Sequence, residues 1–154
     1  MSDDDALGDE VSGLFFEDLK LGQIAERTWT VSSAVIAAFA EVSGDTNPVH
    51  LDDAFAEGTS FKGRIAHGML AASYISAVIG TQLPGPGSIY LSQSLRFKRP
   101  VRPGDEVTAQ VTIEALDSER GQVSLTTTCL VRGKAVVEGE ALIMVPKKPS
   151  DQAG

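Results

Sequence analysis

The chain of 154 residues has a single cysteine, Cys129, and only two histidines, His50 and His67. One cysteine cannot close an internal disulfide. Cys129 lies in the alternating stretch QVSLTTTCLVRG and reads as a small, buried strand residue. No neighbouring motif offers the base that a nucleophilic thiol needs. Two histidines seventeen residues apart, without a Cys or His cluster, fit no standard ligand spacing, so no metal site is expected. The chain also lacks the glycine-rich dinucleotide fingerprint, the P-loop and the G-x-S-x-G elbow. No apolar run is long enough to span a bilayer. The start, MSDDDALGDE, has neither the basic residues nor the apolar stretch of a signal peptide, so the cytoplasm is the expected compartment.

Positive charge is missing from one end. Residues 1–18 carry seven acids and no Lys or Arg, which leaves fourteen acids against thirteen bases in the rest. The net charge of −8 therefore describes an acidic tail on a nearly neutral domain. The expected organisation is a disordered tail over 1–13, one domain over 14–148 and a flexible C-terminus over 149–154. A low isoelectric point, near 4.7, argues against non-specific nucleic-acid binding.

What is present divides into two periods. GQIAERTWTVS reads as a strand that ends at Ser32 or Ser33, both good helix caps. Val35, Ile36, Phe39 and Val42 then recur at helical spacing, which predicts a helix over about 33–43. Gly44 and Pro48 end it, because Pro48 cannot continue a helix and pushes Asn47 toward an extended backbone. DDAFAEG suits one or two helical turns closed by Gly58. AHGMLAASYISAVIGTQLP is apolar nearly all round, and a helix apolar on every side is a buried one, here about 66–84. After PGPG the period becomes two. Strands are expected at about 88–98, 105–117, 121–132 and 134–146, joined by short turns that favour antiparallel hairpins. The pattern is α+β: an antiparallel sheet of about five strands wrapped around one long central helix. Pairing of two chains would cover one of the edges such a sheet leaves.

Three groups of residues could carry chemistry. The first is SGDTNPVHLD, in which a turn at Pro48 can bring the Asp45 carboxylate and the His50 imidazole to one side, a pairing suited to proton transfer. Asn47 can bond the turn backbone or a ligand. Spacing alone favours a plainer reading, a turn with His50 at the surface. The second is AHGM, where the free N–H of Gly68 at a helix N-terminus can meet a developing oxyanion. Close packing of a strand explains a glycine there equally simply. The third is RFKRPVR, whose Arg96, Lys98, Arg99 and Arg102 can bind phosphate or form a solvated strand face; Arg64 is a further candidate.

Taken together these segments resemble a known family. FAEVSGDTNPVHLDDAFA resembles the signature of the (R)-specific enoyl-CoA hydratases, in the MaoC-like dehydratase family. GRIAHGMLAAS resembles the segment that opens that family's central helix. LPGPGSIYLSQSLRFKRPVRPGDEVTAQV is similar to the strand region of its short, polyhydroxyalkanoate-linked members. The resemblance runs over about 22–146 with no departure from the D-x-N-P-x-H core. It implies a single hot-dog fold, a homodimer, and reversible syn addition of water to trans-2-enoyl-CoA giving (R)-3-hydroxyacyl-CoA. Asp45 and His50 would activate one water, and the Gly68 N–H would hold the thioester oxygen. Asn47 would shape the loop, and Ser76 would orient Asp45. No cofactor is implied, because coenzyme A is part of the substrate. The basic run, by contrast, is a CoA-phosphate candidate on charge alone.

Two other functions suit the same fold. An acyl-CoA thioesterase would place its acid on the central helix, but residues 69–83 contain no Asp or Glu. A non-catalytic acyl-CoA binding module has no use for an intact Asp–His pair.

Overall fold

The computed structural model describes residues 13–149. The expected tail and flexible C-terminus, apart from residues 13 and 149 themselves, lie outside them.

Strand β1 (Ile24–Thr30) leads into helix α1 (Ser33–Ser43). Ser32 caps α1 by accepting the Val35 N–H at 3.1 Å. Gly44 ends it with φ +79°, a left-handed conformation that L side chains rarely adopt. Two short helices follow, α2 (Pro48–Leu51) and α3 (Asp53–Glu57), and then α4 (Gly68–Thr81). The remaining strands are β2 (Ile89–Gln93), β3 (Arg96–Phe97), β4 (Glu106–Asp117), β5 (Gln122–Val131) and β6 (Lys134–Met144).

All the strands form one antiparallel sheet in the order β1-β4-β5-β6-β2, with β3 also paired to β6. The sheet has six strands, one more than the expected five, because the run expected at 88–98 is cut in two. The cut falls where Gly139 of β6 meets Ser94. A Cβ at Gly139 would lie 1.8 Å from the Ser94 carbonyl oxygen, so the chain crosses there as a backbone-on-backbone contact. The Ser94 N–H donates to the Glu140 carbonyl at 2.9 Å, and the Ser94 hydroxyl accepts the Glu140 N–H at 3.0 Å.

Helix α4 packs mainly on β4, and also on β5, β1 and β6. Its buried residues Leu70, Ala71, Tyr74, Ile75, Val78 and Ile79 face the inward side of the pleat. That side carries Val107, Ala109, Val111 and Ile113 from β4 and Val123, Leu125, Thr127 and Cys129 from β5. The alternation predicted from sequence is what buries every second residue of these strands. Cys129 is fully buried, and its thiol faces the Ala71 carbonyl at 3.3 Å, consistent with a packing role. Tyr74 stacks on Trp29 of β1 at 4.2 Å and 6°, fixing the helix against that strand. A bulge in the β5–β6 pairing next to Leu130 leaves Val136 out of register. Its carbonyl accepts the Lys98 and Arg99 N–H groups, which directs the chain back toward α4.

Candidate active site

Asp45 and His50 both lie between α1 and α3, on a segment that the structure folds differently from a simple turn. Pro48 ends the reach of α1 but is also the first residue of α2. Its missing N–H costs nothing at that position, and its fixed φ suits a helix start. Asn47 caps the turn by accepting the Val49 N–H at 3.1 Å. Asp45 Oδ1 accepts the Asn47 N–H at 3.2 Å, and the Asp45 N–H donates to Ser43 Oγ at 3.1 Å. These short-range bonds shape the loop and leave Asp45 exposed. Asn47 thus bonds the turn backbone, one of the two uses its position allowed.

The loop is sewn to the strand-like approach to α4 by three bonds. His50 Nδ1 lies 2.7 Å from the Ile65 carbonyl, the Ile65 N–H donates to the Val49 carbonyl at 3.3 Å, and His67 Nε2 lies 2.9 Å from the Asp45 carbonyl. A carbonyl oxygen only accepts, so a neutral His50 carries its proton on Nδ1 and a neutral His67 carries its proton on Nε2. His50 therefore presents the lone pair of Nε2. Both rings are buried, at 7% and 3% exposure, and they stack with centroids 3.8 Å apart and 29° between planes.

His67 was not singled out from sequence, although it stands inside the AHGM segment. The usable signal was its place beside Gly68 at the start of an apolar helix. Asp45, His50 and His67 have one potential ligand atom each within 4.8 Å of one another. They are the described residues nearest to a metal-binding set. His50 Nδ1 and His67 Nε2 are both engaged with backbone carbonyls, which leaves one further nitrogen on each ring.

Gly68 is the first residue of α4, with His67 at the cap position. Among the described residues, neither the Gly68 nor the Met69 N–H has an acceptor, and both residues are exposed. Gly68 combines close packing with an unpartnered N–H. Phe97 lies so close that an added Cβ would meet its Cε1 at 2.6 Å, and the N–H remains free. A cavity of about 450 Å³ opens here, lined by Phe61, His67, Gly68, Met69, Phe97 and Lys98, among others. A second hollow, lined by residues from Gly104 to Thr108 and from Leu130 to Gly133, contains none of these groups.

The basic cluster divides. Arg102 is a structural residue, donating to the Phe61 carbonyl at 2.6 Å and the Gly63 carbonyl at 3.1 Å. Arg64 is likewise engaged, with Asp53 at 2.7 Å and Ser33 Oγ at 3.1 Å. Lys98 and Arg99 line the cavity beside Gly68. Lys98 has only a loose partner, Glu138 at 3.6 Å, and Arg99 donates to the Ala135 carbonyl at 2.7 Å. Arg96 is exposed on β3, opposite Glu138 in register. Ser76 is exposed on α4, and no hydrogen bond joins it to Asp45 within the chain.

The architecture is a hot-dog fold: one helix held in the curve of an antiparallel sheet, with an acid–histidine pair at the helix's N-terminal end. The family model for the MaoC like domain matches residues 18–135. The chain is 56% identical over 134 residues to an (R)-specific enoyl-CoA hydratase of Rhodospirillum rubrum, covering 87% of this chain and 93% of that one. It is 50% identical over 131 residues to an (R)-specific enoyl-CoA hydratase of Aeromonas caviae, covering 84% and 98%. The unliganded R-hydratase PhaJ1 of Pseudomonas aeruginosa superposes with a TM-score of 0.83 at 47% identity, over 88% of both chains. The chain belongs to the MaoC-like dehydratase family.

Proposed function

We propose that the protein is an (R)-specific enoyl-CoA hydratase, adding water reversibly to trans-2-enoyl-CoA in a syn sense to give (R)-3-hydroxyacyl-CoA. One observation carries this reading. The bond from His50 Nδ1–H to the Ile65 carbonyl leaves Nε2 as the free nitrogen of that ring, and a His50 ring nitrogen lies within 4.8 Å of an Asp45 carboxyl oxygen. A base and an acid group held this way can share one water.

In the hydration direction His50 Nε2 takes a proton as the water oxygen attacks C3. Asp45, entering the step as the carboxylic acid, delivers its proton to C2 on the same face, and the carboxylate left behind takes up the proton held by His50. Proton return within the pair restores its starting state, so the net change is one added water. Charge that develops on the thioester oxygen meets the free Gly68 N–H and the positive end of α4. The thioester itself acidifies C2, so no metal or redox cofactor takes part. Lys98 and Arg99 at the cavity supply the positive charge that CoA phosphates require, against an overall negative chain.

The reading includes a homodimer in the cytoplasm. Strand β2 ends the sheet and exposes Ile89, Tyr90 and Leu91, a row that a second chain would cover. No helix among the described residues is long and apolar enough to cross a membrane. The deciding experiment is incubation with crotonyl-CoA, following loss of enoyl absorbance and reading the product with an (R)- or (S)-specific dehydrogenase. Hydration to the (R)-product supports the proposal. Release of free CoA instead establishes a thioesterase, and binding without turnover establishes a binding module.

A further inference from the structure

The third group in the site, His67, has no place in the proton-transfer scheme, and its surroundings give it one. Its ring is 3% exposed, stacked on His50 and tilted against Phe39, with centroids 3.8 Å and 4.9 Å away. Nε2–H donates to the carbonyl of Asp45 across 22 residues of chain. Nδ1 is buried and has no hydrogen-bond partner. A buried acceptor without a partner is destabilising. The ring therefore offers something beyond stability, and the stacking on His50 shows what it is.

We propose that His67 is the positioning residue of the Asp45–His50 pair. Its Nε2–H sets how far the Asp45 backbone stands from α4, and its ring face sets the plane in which His50 lies. Both members of the pair are thereby referred to one rigid point, the first turn of α4, where Gly68 waits for the thioester oxygen. Without that bond, the Asp45 carbonyl has no tie to α4, and residues 44–47, which lie outside any helix or strand, rely on short-range bonds alone. This inference rests on the hydratase reading for its kinetic arm and on geometry alone for its spectroscopic arm.

The test uses two variants with opposite defects. His67→Phe keeps a ring of similar size to stack on His50 but has no donor. His67→Gln keeps a donor that can reach the Asp45 carbonyl but has no ring. For His67→Phe the expected result is a kcat lower by roughly 10- to 100-fold, with KM altered less than about threefold. His67→Gln should recover a substantial part of that loss, at a thermal midpoint no higher than that of the Phe variant. A Phe variant with undiminished kcat overturns the proposal. So does a pair of variants whose kcat values fall in proportion to their stability.

Spectroscopy provides the second arm. With only two histidines, the ring-nitrogen spectrum of the whole protein has four signals. With both rings in the neutral form, one should carry its proton at Nδ1 and the other at Nε2. The Nε2-protonated set should vanish in both His67 variants. If the wild-type spectrum shows both rings in one tautomer, the positioning geometry is wrong. If instead wild-type protein leaves crotonyl-CoA untouched while the spectrum is as expected, the hydratase reading fails and the His67 geometry stands.

Discussion

The ring of Phe97 lies against Gly68 so closely that a methyl group added to Gly68 would stand 2.6 Å from Phe97 Cε1 and 2.7 Å from Cδ1. Gly68, whose N–H we propose meets the thioester oxygen, is thus also the floor on which Phe97 rests. Phe97 is 55% exposed and belongs to a two-residue strand, so its ring is the part able to yield.

From this contact, Gly68→Ala should fold with little loss of thermal stability and lose roughly 10- to 100-fold in kcat/KM, because the displaced ring enters the space where the thioester must sit. Adding Phe97→Ala to that variant should restore part of the activity. Non-additive kinetics in the four-member cycle measure the coupling. If the double variant behaves as the product of the two single ones, the contact is irrelevant to the site.

The Asp45–His50 pair can be tested with its scaffold left in place. Asp45→Asn keeps an oxygen for the Asn47 N–H, and His50→Asn keeps a donor for the Ile65 carbonyl. Each should lower kcat about 10²- to 10⁴-fold, while the melting temperature moves by only a few degrees. Turnover in either variant within a few-fold of wild type would refute the two-residue scheme.

Arg102 and its neighbours Lys98 and Arg99 should separate by measurement as they do by structure. Arg102→Ala leaves the Phe61 and Gly63 carbonyls without their donor and should cost roughly 1–3 kcal/mol, read from a denaturant midpoint. Lys98→Ala and Arg99→Ala should instead raise KM for CoA thioesters and flatten its dependence on salt, at nearly unchanged stability. Loss of salt dependence in Arg102→Ala alone would reverse this division.

Burial pushes the Cys129 thiol from its usual 9.0 up to about 12. The unfolded chain therefore releases this proton first as pH rises, so the native state binds more protons across that interval. The contribution is complete below pH 9.0 and is lost progressively toward about pH 12. Unfolding midpoints should hold steady around neutrality and fall on the alkaline side, with a shallower fall in Cys129→Ala. A thiol reagent should label the native protein far more slowly than the unfolded one. Rapid native labelling would contradict the buried, neutral thiol.

Much of the fold was legible along the chain. Periodicity placed α1, α4 and the long strands β4, β5 and β6 because one buried face leaves a regular apolar trace. Asp45, His50 and Gly68 stood out because the motifs around them are local. The break between β2 and β3 was not legible, because its cause is Gly139, more than forty residues away. Pro48 marked the end of α1 but not the start of α2, since the same fixed φ serves both.

The sequence by itself determined the secondary-structure periods, the neutral domain beneath an acidic N-terminus, and an acid and a histidine five residues apart. Only the tertiary structure decided what those groups do to one another. A hydrogen bond to a carbonyl fifteen residues away selects the His50 tautomer. Arg102 is taken out of the basic cluster by two carbonyls some forty residues distant. His67, too far along the chain to suggest a pair with His50, becomes its stacking partner. Spacing along a chain reports which side chains share a face of one element. It says nothing about which groups meet when separate elements pack, and Asp45 and His50 meet His67 at such a place.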